Sequence, residues 1–244
     1  MTEFPKPVRD IIDLLSGMPG AVAVALGGSR ALGTNDANSD WDLAVYYERS
    51  IDTSALSTRG TVHPPGAWGP IMNGGAWLRE EGVKIDVLLR DLVVVERWCE
   101  KAREGVYELD ALLGYVAGAP TYSLMAELAV GRVLVGKLPS VDGYPEALAS
   151  KGRDRWMFDT RFSLEHARMR ARRGEVVGVV AQAARAAIAA AHSRLCDRRV
   201  WVLNEKGILE RAGLADLNAL FARPPTDAPA LDAWVSAVEA VCVG

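Results

Sequence analysis

Asp40 and Asp42 stand two residues apart at the head of an apolar run, Trp41-Asp42-Leu43-Ala44-Val45-Tyr46-Tyr47. Burying carboxylates is costly unless something positive meets them. A third acid, Asp86, lies between Ile85 and Val87 in another apolar run, where packing alone would prefer an aliphatic side chain. In a strand, residues i and i+2 share a face, so Asp40 and Asp42 project side by side. Three carboxylates converging from two strands repel one another unless cations sit between them. Hard divalent ions with oxygen ligands fill that role, and Mg²⁺ combines a few carboxylates with substrate phosphates.

Upstream, Gly27-Gly28-Ser29 follows the unbroken apolar stretch Ala21–Leu26. A strand that ends in Gly-Gly-Ser and enters a short helix offers unhindered N–H groups and a hydroxyl to an anion. No Lys-Ser or Lys-Thr follows the glycines, so this is not a Walker A loop. The spacing of Gly27-Gly28 to Gly33 is not the dinucleotide fingerprint either. Alone, the tripeptide is an ordinary turn. With Asp40 following Ser29 by eleven residues, in Ser39-Asp40-Trp41-Asp42-Leu43, the combination becomes specific for phosphate and metal chemistry.

The elements that must position these residues can be read from periodicity. Val8, Ile11, Ile12 and Leu15 have helical spacing within Pro5–Leu15, which Gly17 and Pro19-Gly20 stop. Ala21–Leu26 and Trp41–Tyr47 read as strands. Residues 48–75 are rich in Pro and Gly and read as loop with short edge strands. Ala76–Arg79 and Val83–Leu89, joined by Glu80-Glu81-Gly82, read as a hairpin. From Asp91 onward strand signals fade. Helices are expected at 92–104, 120–130, 145–173, 175–196, 207–211, 214–221 and 228–241.

Gly28-Ser29, Ser39-Asp40-Trp41-Asp42-Leu43 and Asp86 in Lys84-Ile85-Asp86-Val87 resemble the polymerase-β-type nucleotidyltransferase superfamily over residues 20–90. The resemblance implies an α+β fold. A nucleotidyltransferase domain with a mixed sheet would occupy residues 1–91, and an all-helical, acceptor-binding domain residues 92–244, closing over the cleft. More loosely, the back half is similar to the helical partner of aminoglycoside-type nucleotidyltransferases. The carrying stretch is Val202-Leu203-Asn204-Glu205-Lys206-Gly207, where a lysine of such proteins reaches the triphosphate.

The resemblance further implies that Asp40, Asp42 and Asp86 are catalytic and hold two Mg²⁺ ions. Gly28, Ser29, Ser39 and Lys206 would bind the nucleotide, and Asp86 would help to deprotonate the acceptor. The reaction would transfer a nucleoside monophosphate from ATP or another NTP to a hydroxyl of a small molecule, an aminoglycoside-like antibiotic being one possibility. Two alternatives stand beside it. One is a noncatalytic nucleotide-binding module of regulatory or antitoxin type, although no acid of the set is missing. The other keeps the chemistry but directs it to a protein or to RNA.

Composition bounds the rest. The chain has 244 residues, enough for one large or two small domains, and its net charge of −3 supplies no global basic field for nucleic acid. Residues 151–173 are locally rich in arginine, which suits either a phosphate or acidic partner or a solvated helix. Glu96, Glu100 and Glu104, spaced i, i+4, i+8, with Glu108 and Asp110 nearby, suit either an acidic acceptor pocket or an exposed helix face. Trp68 and Trp77 suit either stacking on a base or sugar or edge-strand packing. The residues His63, His166 and His192 are scattered and read as structural. Cys99, Cys196 and Cys242 lack metal-ligand spacing and read as reduced thiols. The N-terminal residues lack a basic segment followed by an apolar core, and the alanine-rich stretch 174–191 contains Glu175, Gln182 and Arg185. A cytoplasmic protein without a membrane span is expected, and the oligomeric state is left open.

Overall fold

The computed structural model describes residues 4–36 and 39–244, and the strands expected near the front of the chain all form in it. The chain divides into two compact units, one running to Lys101 and including Thr121–Gly143, the other comprising Ala102–Pro120 and Tyr144–Gly244.

The first unit is built on a mixed sheet. Its elements are α1 (Lys6–Ser16), β1 (Ala21–Leu26), α2 (Gly28–Leu32), β2 (Trp41–Tyr47), β3 (Gly60–His63), α3 (Gly69–Met72), β4 (Gly74–Glu80), β5 (Val83–Asp91) and α4 (Leu92–Arg103). After two-residue segments of the second unit, β6 (Leu109–Asp110) and β7 (Ala119–Pro120), the first unit resumes with α5 (Ser123–Val130) and β8 (Arg132–Gly136). The sheet order is β3-β4-β5-β2-β1-β8. β2 and β5 are parallel and the other neighbours antiparallel. The hairpin β4–β5 turns through Glu81-Gly82, the shortest common hairpin connection.

Alternation along β5 separates the two sheet faces. Ile85, Val87 and Leu89 are buried, and with Leu43, Val45, Val24, Ala76 and Leu78 they pack against Val8, Ile11, Ile12 and Leu15 of α1. This apolar face is the core of the unit. Lys84, Asp86, Leu88 and Arg90 take the opposite face. Its far end is closed by α5. There the Arg90 guanidinium forks onto Glu127, Nε to Oε2 at 2.7 Å and Nη2 to Oε1 at 2.8 Å.

β8 departs from the expectation of a helical chain beyond residue 91. Arg132–Gly136 pairs antiparallel with β1 and completes the sheet from 40 residues after β5 would have ended it. The strand is exposed at Arg132, Val133, Val135 and Gly136, so it shows no buried alternation, and its pairing is entirely non-local.

The second unit is helical, with α6 (Glu146–Ala171), α7 (Val176–Asp197), α8 (Ile208–Ala212), α9 (Leu217–Phe221) and α10 (Ala228–Val243). α6 and α7 form an antiparallel hairpin in which Ser193 Oγ donates to the Arg153 carbonyl at 2.9 Å. By length and composition α7 could cross a membrane, but half of its apolar window is buried. Ala183, Ala186, Ala187, Ala190 and Ala191 pack into a core with Leu164, Leu231 and Val235.

The arginines of α6 and of the turn after it are largely committed within this unit. Arg153 pairs with Asp154 and Asp197, Arg168 with Glu165 and Glu239, and Arg170 and Arg173 with Glu175. Arg155 donates to the Tyr107 carbonyl and stands 4.4 Å from its ring. Glu96, Glu100, Glu104 and Glu108 are exposed, as a solvated surface requires.

Candidate active site

The polar face of the sheet opens at the N-terminal ends of β2 and β5. The parallel register makes Asp42 and Asp86 direct partners. Side chains at paired positions of neighbouring strands share a face, and the strands lie about 4.8 Å apart. Both residues are half-buried. The structure therefore brings these two carboxylates together.

Gly28 completes the same corner. The Gly27 amide donates to the Asp42 carbonyl at 2.8 Å, continuing the β1–β2 ladder past the end of β1. The chain then turns at Gly28, whose φ is +59°, into the short helix α2. A β-carbon at Gly28 would lie 1.8 Å from Asp42 Oδ2. Only glycine lets the backbone approach that carboxylate so closely. Ser29 follows at once, and its carbonyl accepts from the Thr34 amide at 2.9 Å.

Asp40 lies just before β2, and its carboxylate stands 3.6 Å from the Lys84 ammonium of β5. Ser39 serves a local turn, its hydroxyl accepting from the Asp36 amide at 2.9 Å and donating to Asp36 Oδ1 at 3.2 Å. Lys206 belongs to the second unit, where it is exposed between α7 and α8 and its amide donates to Asn204 Oδ1 at 3.0 Å. In that stretch Glu205 has a structural task, accepting from the amides of Val116 and Ala117 at 2.6 and 2.9 Å.

Sequence reasoning passed over Arg30. Its Nε donates to the Asp40 carbonyl at 3.1 Å and its Nη2 to the Ser39 carbonyl at 2.6 Å. The same guanidinium lies 4.1 Å from the ring centre of Trp41. It thus ties the segment after Gly28-Ser29 to the segment that carries the acid pair. A lone arginine in a short helix has no periodic signal to mark it.

The donor set can be tested against a divalent cation. Asp42 and Asp86 supply hard carboxylate oxygens from one face, beside a cradle that a β-carbon at position 28 would fill. That chemistry fits Mg²⁺. Among the described residues no three His, Cys, Asp or Glu side chains are drawn into a single cluster, and Asp40 is turned to Lys84 instead.

No curated protein matches the chain. A nucleotidyltransferase-like protein from Exiguobacterium sibiricum 255-15 has a solved structure that is 12% identical, covering 98% of this chain and 74% of its own, with a TM-score of 0.48. Residues 8–103, which hold Gly28, Ser29, Asp40, Asp42 and Asp86, match the family model of the nucleotidyltransferase domain, and this chain carries such a domain.

Proposed function

We propose that this protein is a Mg²⁺-dependent nucleotidyltransferase that moves AMP from ATP to a hydroxyl of a small molecule and releases pyrophosphate. The observation that carries the reading is the pairing of Asp42 with Asp86, beside the gap that Gly28 leaves at Asp42, inside a nucleotidyltransferase domain. Asp42 and Asp86 would hold the cation, joined by Asp40 once its carboxylate leaves Lys84. When bound, the ion or ion pair neutralises phosphate charge and orients the attacking and leaving oxygens.

The residues of the chain do the rest. Gly28 and Ser29 bind the triphosphate through backbone N–H groups and a hydroxyl, and Ser39 shapes the loop beside them. The acceptor hydroxyl oxygen bonds to the α-phosphorus as the bond from that phosphorus to the bridging oxygen of the β-phosphate breaks. The electron pair leaves with pyrophosphate, and the hydroxyl proton passes to Asp86. The cytoplasm, which supplies ATP and keeps thiols reduced, suits this reaction and the three buried cysteines.

Titration calorimetry with α,β-methylene-ATP tests the reading. Binding by the wild type should need Mg²⁺ and should vanish in Asp42→Asn. If none of the four α,β-methylene nucleotides binds the wild type, the enzyme reading is wrong and a noncatalytic module takes its place.

A further inference from the structure

We infer that the chain forms a two-fold symmetric dimer in which α6 packs antiparallel against α6 of a second copy. The two-fold axis crosses the outer face of the helix at the height of Ser163. Under that rotation the face complements itself, both in its apolar side chains and in its charges.

Trp156, Ser163, Leu164 and Ala167 turn one face of α6 into the second unit. The opposite face of such a helix is ordinarily polar. Here it carries Phe158, 65% exposed, Phe162, 56% exposed, and Met169, 48% exposed. Spaced i, i+4 and i+11, the three lie on one stripe. The rings are already ordered. Phe158 and Phe162 stack with centres 5.9 Å apart and planes tilted by 24°, and His166 packs on Phe162 at 4.6 Å. Side chains held before association lose little rotamer freedom in it. Aromatic residues, methionine and arginine are also the types enriched at the centre of protein interfaces.

Charge identifies what covers this stripe. Arg161 and Arg172 flank it, exposed, and their guanidinium groups make no ion pair among the described residues. Asp154 and Glu165 share that flank. Their contacts with Arg153 and Arg168 leave them 68% and 69% exposed. Along the helix the flank thus reads acid, base, acid, base, and such a row read backwards is its own complement. Asp154 and Arg172 lie equally far from Ser163 in opposite directions, as do Arg161 and Glu165. An antiparallel copy centred there sets Asp154 against its Arg172 and Arg161 against its Glu165, and the symmetry repeats both contacts. The same register brings Phe158 to Met169 of the second copy, a contact of ring with thioether. It also sets the two copies of Phe162 beside one another at the axis. Arg155 and Arg173, on the other flank, are taken up by Tyr107 and Glu175. A polyanion would meet the arginines but would be repelled by Asp154 and Glu165, whereas a second copy satisfies all four.

Sedimentation equilibrium of the full chain tests the inference. The wild type should dimerise. Arg161→Glu and Glu165→Arg should each raise the dissociation constant of the dimer tenfold or more, because each sets like charges against one another on both sides of the axis. The double variant Arg161→Glu/Glu165→Arg restores opposite charges at both contacts and should recover the dimer. Cross-linking reads the register directly. Phe162→Cys should be joined to its copy by copper phenanthroline, the native cysteines being buried. Phe158→Cys should not, since the rotation carries position 158 about 15 Å along the helix from its own copy, beyond the reach of a disulfide. A wild type that stays monomeric up to its highest soluble concentration overturns the inference. So does a dimer that both single reversals leave intact, or one that cross-links through position 158 and not 162.

Discussion

Gly28 and Asp42 approach so closely that no side chain fits between them: a β-carbon on Gly28 would stand 1.8 Å from Asp42 Oδ2. Gly28→Ala therefore meets two penalties. Its φ of +59° costs an L-residue about 1–2 kcal/mol. The methyl group must also push the Asp42 carboxylate from its position beside Asp86. Stability in urea should fall by at least that amount, whereas magnesium nucleotide affinity should fall at least tenfold. A variant that binds nucleotide like the wild type would show that the close approach has no functional role.

Arg30 should matter through geometry more than charge. Its two donors reach two successive carbonyls, those of Ser39 and Asp40, while its plane lies over Trp41. A lysine keeps the charge but offers neither the fork nor the flat plane. Arg30→Lys is accordingly expected to behave much like Arg30→Ala, with faster amide exchange at residues 39–42 and weaker nucleotide binding. Full rescue by lysine would mean that only the positive charge counts.

How much of this was legible beforehand depended on whether the signal was local. β1, β2 and the β4–β5 hairpin announced themselves through apolar runs and a Glu-Gly turn. β8 did not, because an exposed edge strand needs no buried alternation and its partner, β1, lies some hundred residues away. The acids at 40, 42 and 86 were visible by type and setting. Their pairing was not, because register is a property of two strands together: the structure sets Asp42 against Asp86 and leaves Asp40 with Lys84. The arginines of α6 were ambiguous in sequence for a similar reason, since their acidic partners lie on α7, α10 and the connecting turn.

Arg90 and Glu127 predict an asymmetry between two single variants. The Arg90 side chain is 1% exposed and that of Glu127 19%. Glu127→Leu strands a buried cation that keeps as acceptors the Met72 carbonyl, at 2.7 Å, and the carbonyl of the preceding Leu89, at 3.1 Å. Removal of one partner from a buried pair costs about 3–5 kcal/mol. Arg90→Met leaves a carboxylate that water can still reach and should cost less. The double variant should be more stable than Glu127→Leu alone. Urea melts of all three decide the matter, and equal losses in the two single variants would contradict it.

His192 predicts a pH dependence for the second unit. The imidazole is 1% exposed and stacks on Trp156 at 4.3 Å with the planes 10° apart. Burial, helped by Arg211, pushes its pKa from 6.5 down to about 3. Between those values the unfolded chain takes up a proton that the folded chain refuses. The neutral imidazole therefore costs no stability above pH 6.5, and stability declines as pH falls from there towards 3. One proton of difference gives a slope of about 1.4 kcal/mol per pH unit. Carboxylates add their own dependence, but they do so equally in a variant that lacks the imidazole. His192→Phe, which preserves a ring against Trp156, should be less sensitive to acid than the wild type by that slope when urea unfolding is compared at pH 6 and pH 5. Parallel pH profiles for the two proteins would show that His192 is not buried neutral.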